Sequence, residues 1–508
     1  MVVLVAAGAM QASRGLWQDE ATLLANFGLP WTAYFHSLPF YDQAGPPAAL
    51  LTLNGAWLAT GGSIIGTRIL LLSSHVVIMA GIAWQAFNRR DEPVLLAIAM
   101  MAVTPLFVRY TVEFKQYGFE LQAAFVFIVA LRWFPARPVA VMVAAGCLSL
   151  FSYSMMLVVG VSVLDAVLFR FRTAVGIRWL KALIIYSLGW IACYLLLFAP
   201  ATALQSRNYP TAYQRLSLSA YLHDPMRLEA QLEVIPRAQA GVVLLCASVA
   251  IIGLLLARRG LPRLSIPAIR HETWQPLRVL LGLIALTLLL WLARLYPISS
   301  NKQFLFTMPI TALAISEIFF AVCVPGKPGR VRATCIALAL ILIPSSAITL
   351  SREWTKRTDF QDTLGLYAYL KRQPEALVLP DVFFEPTLRL YMAQDPNPPA
   401  QVAGLLASTS RPMETPQRLV AMLRNRDRQI PQHLWEQLYT YDFYPEYARW
   451  LVRHAAGKGP AIVAATRLSD DNERAYLNAA RQQGCQAAIR FRSREVLAIQ
   501  LDCPPSQS

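Results

Sequence analysis

Apolar runs of membrane-spanning length recur along the chain up to Leu350 and then stop. A helix needs about 20 mostly apolar residues to cross the hydrocarbon core of a bilayer. By length and apolarity we predict ten spans, at 67–87, 93–108, 117–134, 138–153, 155–171, 181–200, 239–257, 279–295, 304–323 and 333–350. Residues 1–11 are apolar but too short to cross alone. We interpret them as the outer half of a longer first helix or as a tilted half-span, which gives about 11 transmembrane helices.

The apolar segment 47–60 either crosses the bilayer or lies in its interface as an amphipathic helix. If it lies in the interface, all the strongly basic short loops fall on one side of the membrane, as expected for cytoplasmic loops. These loops contain Arg89 and Arg90; Arg132 and Arg137; Arg170, Arg172, Arg178 and Lys181; Arg258, Arg259, Arg263, Arg270 and Arg278; and Lys327, Arg330 and Arg332. We therefore predict an interfacial helix. The first loop, 12–66, and the region from Ser351 onward then lie outside the cytoplasm, as do loops 109–117, 201–238 and 296–303.

The C-terminal region, 351–508, changes in pattern and has the length of an ordinary domain. The segments "EALVLPD" and "AIVAAT" are typical of buried strands, and helical periodicity marks 360–372, 416–426 and 470–483. The end of the chain predicts a hairpin that turns near Ser493. We predict a small extracytoplasmic α/β domain. Since it shows no phosphate loop, metal-ligand spacing or nucleophile motif, we assign it no chemistry.

Composition agrees with a membrane protein. Only 15% of the 508 residues are charged, 56% are hydrophobic and the mean hydropathy is +0.42, whereas soluble domains carry about 25% charged residues. The net charge of +16 would suit a nucleic-acid partner, but the basic residues cluster between apolar runs. We therefore predict a polytopic α-helical membrane protein, with domains 1–350 and 351–508, whose partners are membrane lipids and not nucleic acid.

The seven cysteines do not form a framework, because five of them fall in apolar runs. Cys485 and Cys503 flank the predicted hairpin at equal distances from its turn. They either form a disulfide, which an extracytoplasmic location permits, or remain two free thiols.

The stretch "LWQDEATLL" places two adjacent carboxylates, Asp19 and Glu20, soon after the first apolar segment. Acidic residues are common in the first turn of a helix because they complement the helix dipole, and this alone explains the pair. The functional interpretation is a general base that takes a proton from an acceptor hydroxyl, with Trp17 anchoring the segment at the interface.

The second outer loop, "VRYTVEFKQYGFE", adds further ionisable groups at the edge of two spans: Arg109, Glu113, Lys115, Tyr117 and Glu120. Glu113 and Glu120 are seven residues apart and would share one face of a helix. A local ion-pair network explains Arg109 and Glu113 well. It explains Glu120 less well, because ionisable groups deeper in a membrane usually line a cavity.

Cations elsewhere on the outer side, Lys302 and Arg207 among them, either meet lipid headgroups or join the acidic groups in one phosphate-binding cavity. No cluster of His, Asp and Glu has the spacing of metal ligands in the sequence. We predict no metal site, and leave the dependence on a divalent metal ion open.

Four motifs together resemble those of a known family. "LWQDEATLL", the Pro46–Pro47 step, "GGSIIGTRILL" with Arg68, and "TPLFVRYTVEFKQYGF" follow one another with compatible spacing. In this order they are similar to the GT-C type membrane glycosyltransferases, more narrowly to the group of protein mannosyltransferases and lipid A aminoarabinose transferases (glycosyltransferase family 39-like). The resemblance covers about residues 12–135, and Lys115 stands where the family usually has arginine.

The resemblance implies a GT-C fold and an inverting sugar transfer from a polyprenyl-phosphate donor on the outer face of a bacterial inner membrane. Asp19 would be the catalytic base or the carboxylate that orients the acceptor, with Glu20 supporting it and Glu113 in the same cavity. Arg109, Lys115, Arg207 and Lys302 would bind the donor phosphate, and Trp17, Tyr117 and Glu120 would line the substrate cavity. The acceptor would be an envelope lipid, lipopolysaccharide, polysaccharide or protein.

Two alternatives come from other classes. The chain could be a transporter or flippase of lipid-linked intermediates, although transporter sites lie near the bilayer midplane and the charges here concentrate at the outer edge. It could also be a scaffold whose C-terminal region binds envelope partners, which leaves the polar cluster at 109–120 unexplained.

Overall fold

The computed structural model of the protein describes residues 1–36, 38, 45–169, 173–199, 274–292, 301–323, 343–351, 362–381, 384–399, 402, 443–455, 459–466, 470–493 and 495–504. The predicted spans 239–257 and most of 333–350 lie outside the described residues, as do the predicted helix 416–426 and Arg207.

Before residue 351, the regular elements in the described ranges are all helical, with short 3₁₀ turns at Trp31–Phe35 and Asn301–Thr307 and a π-helical turn at Tyr194–Phe198. Its helices are α1 (Val2–Ala12), α2 (Gln18–Leu24), α3 (Pro47–Ala59), α4 (Ile64–Arg89), α5 (Glu92–Ala102), α6 (Pro105–Tyr110), α7 (Tyr117–Trp133), α8 (Pro138–Ser149), α9 (Met155–Phe169), α10 (Thr173–Cys193), α11 (Gln275–Leu292) and α12 (Met308–Cys323). In the described ranges, two helical stretches are long and apolar enough to cross a membrane by themselves, Ile64–Asn88 and Ala174–Phe198.

Two predicted spans differ from the structure for identifiable reasons. The span predicted at 93–108 is broken, because α5 ends at Ala102 and α6 starts at Pro105. Proline has no N–H to continue the hydrogen-bond ladder, and it disfavours the helical conformation of the residue before it. The span predicted at 181–200 begins earlier, at Thr173, so that Arg178 and Lys181, predicted in a cytoplasmic loop, lie within α10.

The segment 47–60 forms the 13-residue helix α3, which opens with Pro47 in its first turn. At 1.5 Å per residue this helix is about 20 Å long, shorter than the hydrocarbon core. The next helix, α4, begins at a polar cap, where the Ser63 hydroxyl accepts from the Gly66 N–H at 3.1 Å.

Charged residues at the predicted cytoplasmic ends of helices form ion pairs within the bundle. Arg132 of α7 pairs with Asp91, 2.7 Å from Nε to Oδ2, and also with Glu317 of α12. The Arg278 guanidinium of α11 contacts the Asp165 carboxylate of α9 at 2.6 Å. These pairs connect helices that are distant in sequence.

The described residues of the C-terminal region contain a four-stranded sheet, with helices before the first strand and between the first three strands in sequence, and a direct turn between the last two. Its elements are α13 (Thr363–Lys371), β1 (Leu377–Pro380), α14 (Glu385–Gln394), α15 (Phe443–Ala455), β2 (Ala461–Thr466), α16 (Asp470–Gln482), β3 (Gln486–Ser493) and β4 (Val496–Asp502). The strand order is β1-β2-β4-β3, with β1 parallel to β2 and the other pairs antiparallel. Both strands predicted from apolar runs, the helices predicted at 360–372 and 470–483 and the terminal hairpin are therefore present.

A disulfide joins Cys485 and Cys503 at the open end of the β3–β4 hairpin. The sequence left open whether these cysteines are bonded or free, and the structure has them bonded. The linkage fixes the end of the sheet opposite the turn.

The C-terminal region and the first loop share one apolar core. Leu16, Leu23 and Leu24 belong to the same buried cluster as Leu366 and Leu388. Helix α14 packs against α2, and the Gln394 side chain donates to the Gly62 carbonyl at 2.8 Å. The segment that carries Asp19 is therefore packed on residues that lie more than 300 positions later in the chain.

Candidate active site

Helix α2 presents its two carboxylates differently. Asp19 and Glu20 both lie in the first turn, but Asp19 is half-buried whereas Glu20 is fully buried. Neighbouring helical residues point about 100° apart, so one carboxylate faces outward when the next faces the core. Asp19 is therefore the one of the two that can meet a ligand.

Both oxygens of Glu20 are bound inside the protein. Oε1 lies 2.8 Å from the Arg14 guanidinium and accepts from the Phe114 N–H at 3.0 Å. Oε2 accepts from Arg68 at 2.9 Å and from the Trp17 N–H at 3.4 Å. The last contact caps the start of α2, because the side chain of the third helical residue returns to the backbone before the helix.

These partners decide the charge of Glu20. Burial alone would raise its pKa, but the guanidiniums of Arg14 and Arg68, together with the backbone N–H groups of Phe114 and Trp17, outweigh burial and lower the pKa below the ordinary value of 4.5. Glu20 is therefore ionised at neutral pH and serves as the counterion of two buried cations.

Arg68 ties three elements together. Its guanidinium, fully buried in α4, donates to the carbonyls of Ala12, Arg14 and Gly15, where α1 ends and the first loop begins. These carbonyls include orphan acceptors of the last turn of α1. The same guanidinium binds Glu20 and lies over the Phe114 ring, 5.3 Å from its centroid.

In the sequence, Arg68 stands out only as part of a family-like motif, and no pattern connects Arg14 to the site. A fully buried arginine near the start of an apolar span is itself a signal, because such a charge requires a carboxylate partner. The sequence alone did not say which carboxylate that was.

The second outer loop lies against the start of α2. The Arg109 Nε donates to Glu113 Oε2 at 3.2 Å, and its guanidinium lies over the Trp17 ring, 5.5 Å from the centroid. Glu113 is buried, and within the described residues its second oxygen, Oε1, has no hydrogen-bond partner. The local ion pair expected from the sequence is present, and it leaves one carboxylate oxygen unbound.

The charges of Asp19 and Glu113 both reach the Tyr110 hydroxyl. Burial raises the pKa of Tyr110, the negative charge of Glu113 raises it further, and the smaller effects of Arg109 and Asp19 oppose each other, Arg109 lowering the pKa and Asp19 raising it. The Tyr110 ring contacts the Tyr117 ring edge to face, with centroids 5.4 Å apart. The structure thus brings Asp19, Trp17, Arg109, Glu113 and Tyr117 into one neighbourhood.

A glycine at position 118 allows α7 to approach the backbone of α6 closely. A Cβ at Gly118 would lie 2.4 Å from the Tyr110 carbonyl oxygen and 3.0 Å from His75 Nε2. The start of α7 can therefore lie directly against the backbone of α6 only without a side chain at this position.

The remaining four residues predicted to belong to the site lie in different parts of the chain. Lys115 and Glu120 are buried in or next to the same segment, Lys115 just before α7 and Glu120 in its first turn. Lys302 lies in the 3₁₀ turn Asn301–Thr307, and its side chain is outside the described part of the structure. Arg207 lies outside the described residues.

In the part of the chain that the structure describes, no group of three or more His, Cys, Asp or Glu side chains is arranged to hold a metal ion.

No protein-family model matches the chain, and no curated protein matches it by sequence. Among solved structures, ArnT from Cupriavidus metallidurans bound to undecaprenyl phosphate is similar over 98% of this chain and 96% of its own, with a TM-score of 0.50 and 11% identity. The apo state of the same protein gives 12% identity at the same TM-score and coverage. The arabinofuranosyltransferase AftD from Mycobacteria is similar over 99% of this chain and 40% of its own, with a TM-score of 0.43 and 15% identity.

The similarity to ArnT runs through nearly the whole length of both chains, so it includes the helical part and the C-terminal region together. At this identity it establishes the fold. The fold expected from the four motifs is confirmed: the chain has a GT-C glycosyltransferase-like fold.

Proposed function

We propose that this protein is an inverting glycosyltransferase that moves a sugar from a polyprenyl-phosphate donor to an envelope acceptor. The fold supports this proposal, because the ArnT structure of the same fold was determined with undecaprenyl phosphate bound. The acceptor is a hydroxyl-bearing lipid, lipopolysaccharide, polysaccharide or protein, and the transferred sugar is a hexose or a pentose.

The observation that carries the proposal is the contrast between Asp19 and Glu20. A general base must reach its substrate, and its neighbours must hold it in place. Asp19 is partly exposed in the first turn of α2, while Glu20 behind it is buried in ion pairs with Arg14 and Arg68. A freely solvated helix start has no need of two buried arginines, so this arrangement favours a positioned carboxylate.

In the proposed reaction, Asp19 accepts the proton of an acceptor hydroxyl as its oxygen attacks the anomeric carbon. The bond from that carbon to the phosphate oxygen breaks from the opposite face, and the polyprenyl phosphate leaves with the electron pair. Lys115 and Arg109 stabilise the negative charge that develops on the phosphate. Lys302 and Arg207 are proposed to join them at the same anion.

The remaining residues have supporting roles in this scheme. Glu20 is a positioning residue, because both of its oxygens are engaged inside the protein. Glu113 is assigned to the same cavity, and within the described residues its buried Oε1 has no hydrogen-bond partner. Trp17, Tyr117 and Glu120 line the proposed cavity.

We further propose that the chain is an inner-membrane protein, with domain 1–350 in the bilayer and domain 351–508 outside the cytoplasm. The Cys485–Cys503 disulfide supports the outer location, because disulfides persist in the periplasm and are rare in the cytosol. The two long apolar helical stretches support membrane insertion.

The test is mass spectrometry of envelope lipids and glycans from cells with and without the gene. The null strain is complemented with wild type, Asp19→Asn, or the matched control Asp395→Asn, whose carboxylate pairs with Lys371 in the C-terminal region. We expect a polyprenyl-phosphate sugar to accumulate in the null strain and with Asp19→Asn, and the same sugar to be missing from one envelope molecule. The rate of sugar transfer by Asp19→Asn should fall by at least about a hundredfold, the usual contribution of a general base.

Asp395→Asn should restore the wild-type profile. If Asp19→Asn also restored it, the assignment of the base would be wrong. If the donor accumulated only on the cytoplasmic side of the membrane, the flippase alternative would explain the chain better.

A further inference from the structure

Both backbone polar groups of Leu16 are bound by side chains of the C-terminal region. The Leu16 N–H donates to the Tyr391 hydroxyl at 2.8 Å, and the Thr363 hydroxyl donates to the Leu16 carbonyl at 2.7 Å. The two hydroxyls are 2.9 Å apart. Leu16 and Thr363 are fully buried and Tyr391 is nearly so.

The hydrogen bonds among Leu16, Tyr391 and Thr363 allow one consistent assignment of donors and acceptors. Because the single hydrogen of Thr363 goes to the Leu16 carbonyl, Tyr391 must be the donor between the two hydroxyls. The circuit therefore runs from the Leu16 N–H to Tyr391, from Tyr391 to Thr363, and from Thr363 back to the Leu16 carbonyl. Removing either hydroxyl leaves a buried backbone group of Leu16 without its partner, which is costly away from water.

The position of Leu16 gives this circuit its significance. The next residue, Trp17, precedes the first turn of α2, and its N–H is bound by Glu20. The chain that enters α2 is thus fixed from two sides: by Tyr391 and Thr363 on one, and by the Arg14–Glu20–Arg68 ion pairs on the other. Asp19 follows within three residues of the bound Leu16.

We infer that Tyr391 and Thr363 are positioning residues for Asp19, so that the C-terminal region is a working part of the active site. The inference rests on the proposed function of Asp19. Neither hydroxyl touches the reacting atoms; each acts by holding the backbone that aims the carboxylate. Displacement of a catalytic group by about 1 Å can slow an enzyme by about a hundredfold.

The substitutions that test this remove single hydroxyls and keep the packing: Tyr391→Phe and Thr363→Val. Thr363→Ser keeps the hydroxyl and serves as the rescue variant. Tyr367→Phe is the matched control, because the Tyr367 hydroxyl donates to Asp395 and not to the first loop, although its ring contacts that of Tyr391.

The experiment uses the full chain in lipid nanodiscs and combines three measurements: hydrogen exchange of peptides covering 14–24, affinity for undecaprenyl phosphate, and the transfer rate. We expect Tyr391→Phe and Thr363→Val to raise amide exchange at Leu16 and lower the transfer rate roughly tenfold, with less than about a twofold change in affinity for the lipid phosphate. Thr363→Ser and Tyr367→Phe should behave like wild type.

The inference is overturned if exchange at Leu16 is unchanged, or if it rises while transfer continues at the wild-type rate. It is also overturned if the rate falls only in proportion to the amount of folded protein. Asp19→Asn separates this failure from that of the proposed function. If Asp19→Asn abolishes transfer and Tyr391→Phe transfers at the wild-type rate, only the positioning role fails, whereas transfer by Asp19→Asn at the wild-type rate removes the proposed function itself.

Discussion

The Arg68 guanidinium in α4 donates to the Glu20 carboxylate in α2 at 2.9 Å, with both side chains fully buried. Arg14 contacts the other oxygen of the same carboxylate at 2.8 Å. One buried anion thus pairs with two cations, and the carbonyls where α1 ends and the first loop begins accept the remaining hydrogen bonds of the Arg68 guanidinium. Glu20 therefore connects the start of α2 to Arg14, to Arg68 of α4 and to the backbone of Phe114.

Glu20→Gln should destabilise the protein strongly. The substitution keeps the size of the side chain but leaves two buried guanidiniums without a counterion, a change that costs about 3–5 kcal/mol. Thermal unfolding in detergent measures the effect. The control is Glu473→Gln, which removes a pair with the largely exposed Arg492 and should cost less than about 1 kcal/mol. Equal shifts for both variants would show that the buried pairs contribute no more than surface ones.

The same carboxylate predicts a dependence of stability on pH. The pKa of Glu20 is lower in the folded protein than its ordinary value of 4.5, so its contribution is fully present above that value. The contribution is lost as the pH falls from there through the folded pKa. We expect the difference in stability between wild type and Glu20→Gln to stay constant from neutral pH to about pH 5 and to shrink below it. A difference that grew on acidification would contradict the assignment.

Hydrophobic patterning predicted much of the fold, because local sequence determines it. The predicted strand "AIVAAT" coincides with β2, and the span predicted at 67–87 lies within α4. The failures have local causes. Pro105 was a visible break inside a predicted span, and Arg178 and Lys181 were placed in a loop although long basic side chains are tolerated near the end of a spanning helix.

The candidate site was less predictable, because its decisive contacts are distant in sequence. Motifs singled out Asp19, Glu20 and Glu113, and helical spacing gave the Arg109–Glu113 pair. Spacing could not reveal that Glu20 binds Arg68, 48 residues away, or that Tyr391 binds Leu16, 375 residues away. Such pairings follow from the packing of elements, which single-sequence periodicity does not contain.

Lys115→Ala should weaken donor binding. Lys115 is buried beside Glu113 in the second outer loop, and the proposed function assigns it to the donor phosphate. We expect the affinity for undecaprenyl phosphate, measured by microscale thermophoresis in nanodiscs, to fall by at least roughly tenfold, since a charge-assisted hydrogen bond contributes about 1.5–3 kcal/mol. Lys371→Ala, which removes a pair with Asp395 in the C-terminal region, is the control and should leave affinity unchanged. An unaltered affinity for Lys115→Ala would remove this lysine from the donor site.

The disulfide offers a test of the side on which the C-terminal region lies. Cys485 and Cys503 are bonded, whereas Cys147 and Cys193 are free thiols among the described cysteines. In protein purified without reductant and alkylated in denaturant, we expect mass spectrometry to find a linked pair of peptides containing Cys485 and Cys503, and alkylated peptides containing Cys147 and Cys193. The double variant Cys485→Ser/Cys503→Ser should lower the stability of the sheet by up to about 3 kcal/mol, because the bond closes a loop of 18 residues. Complete alkylation of Cys485 and Cys503 without prior reduction would indicate a reducing compartment, and would contradict a C-terminal region outside the cytoplasm.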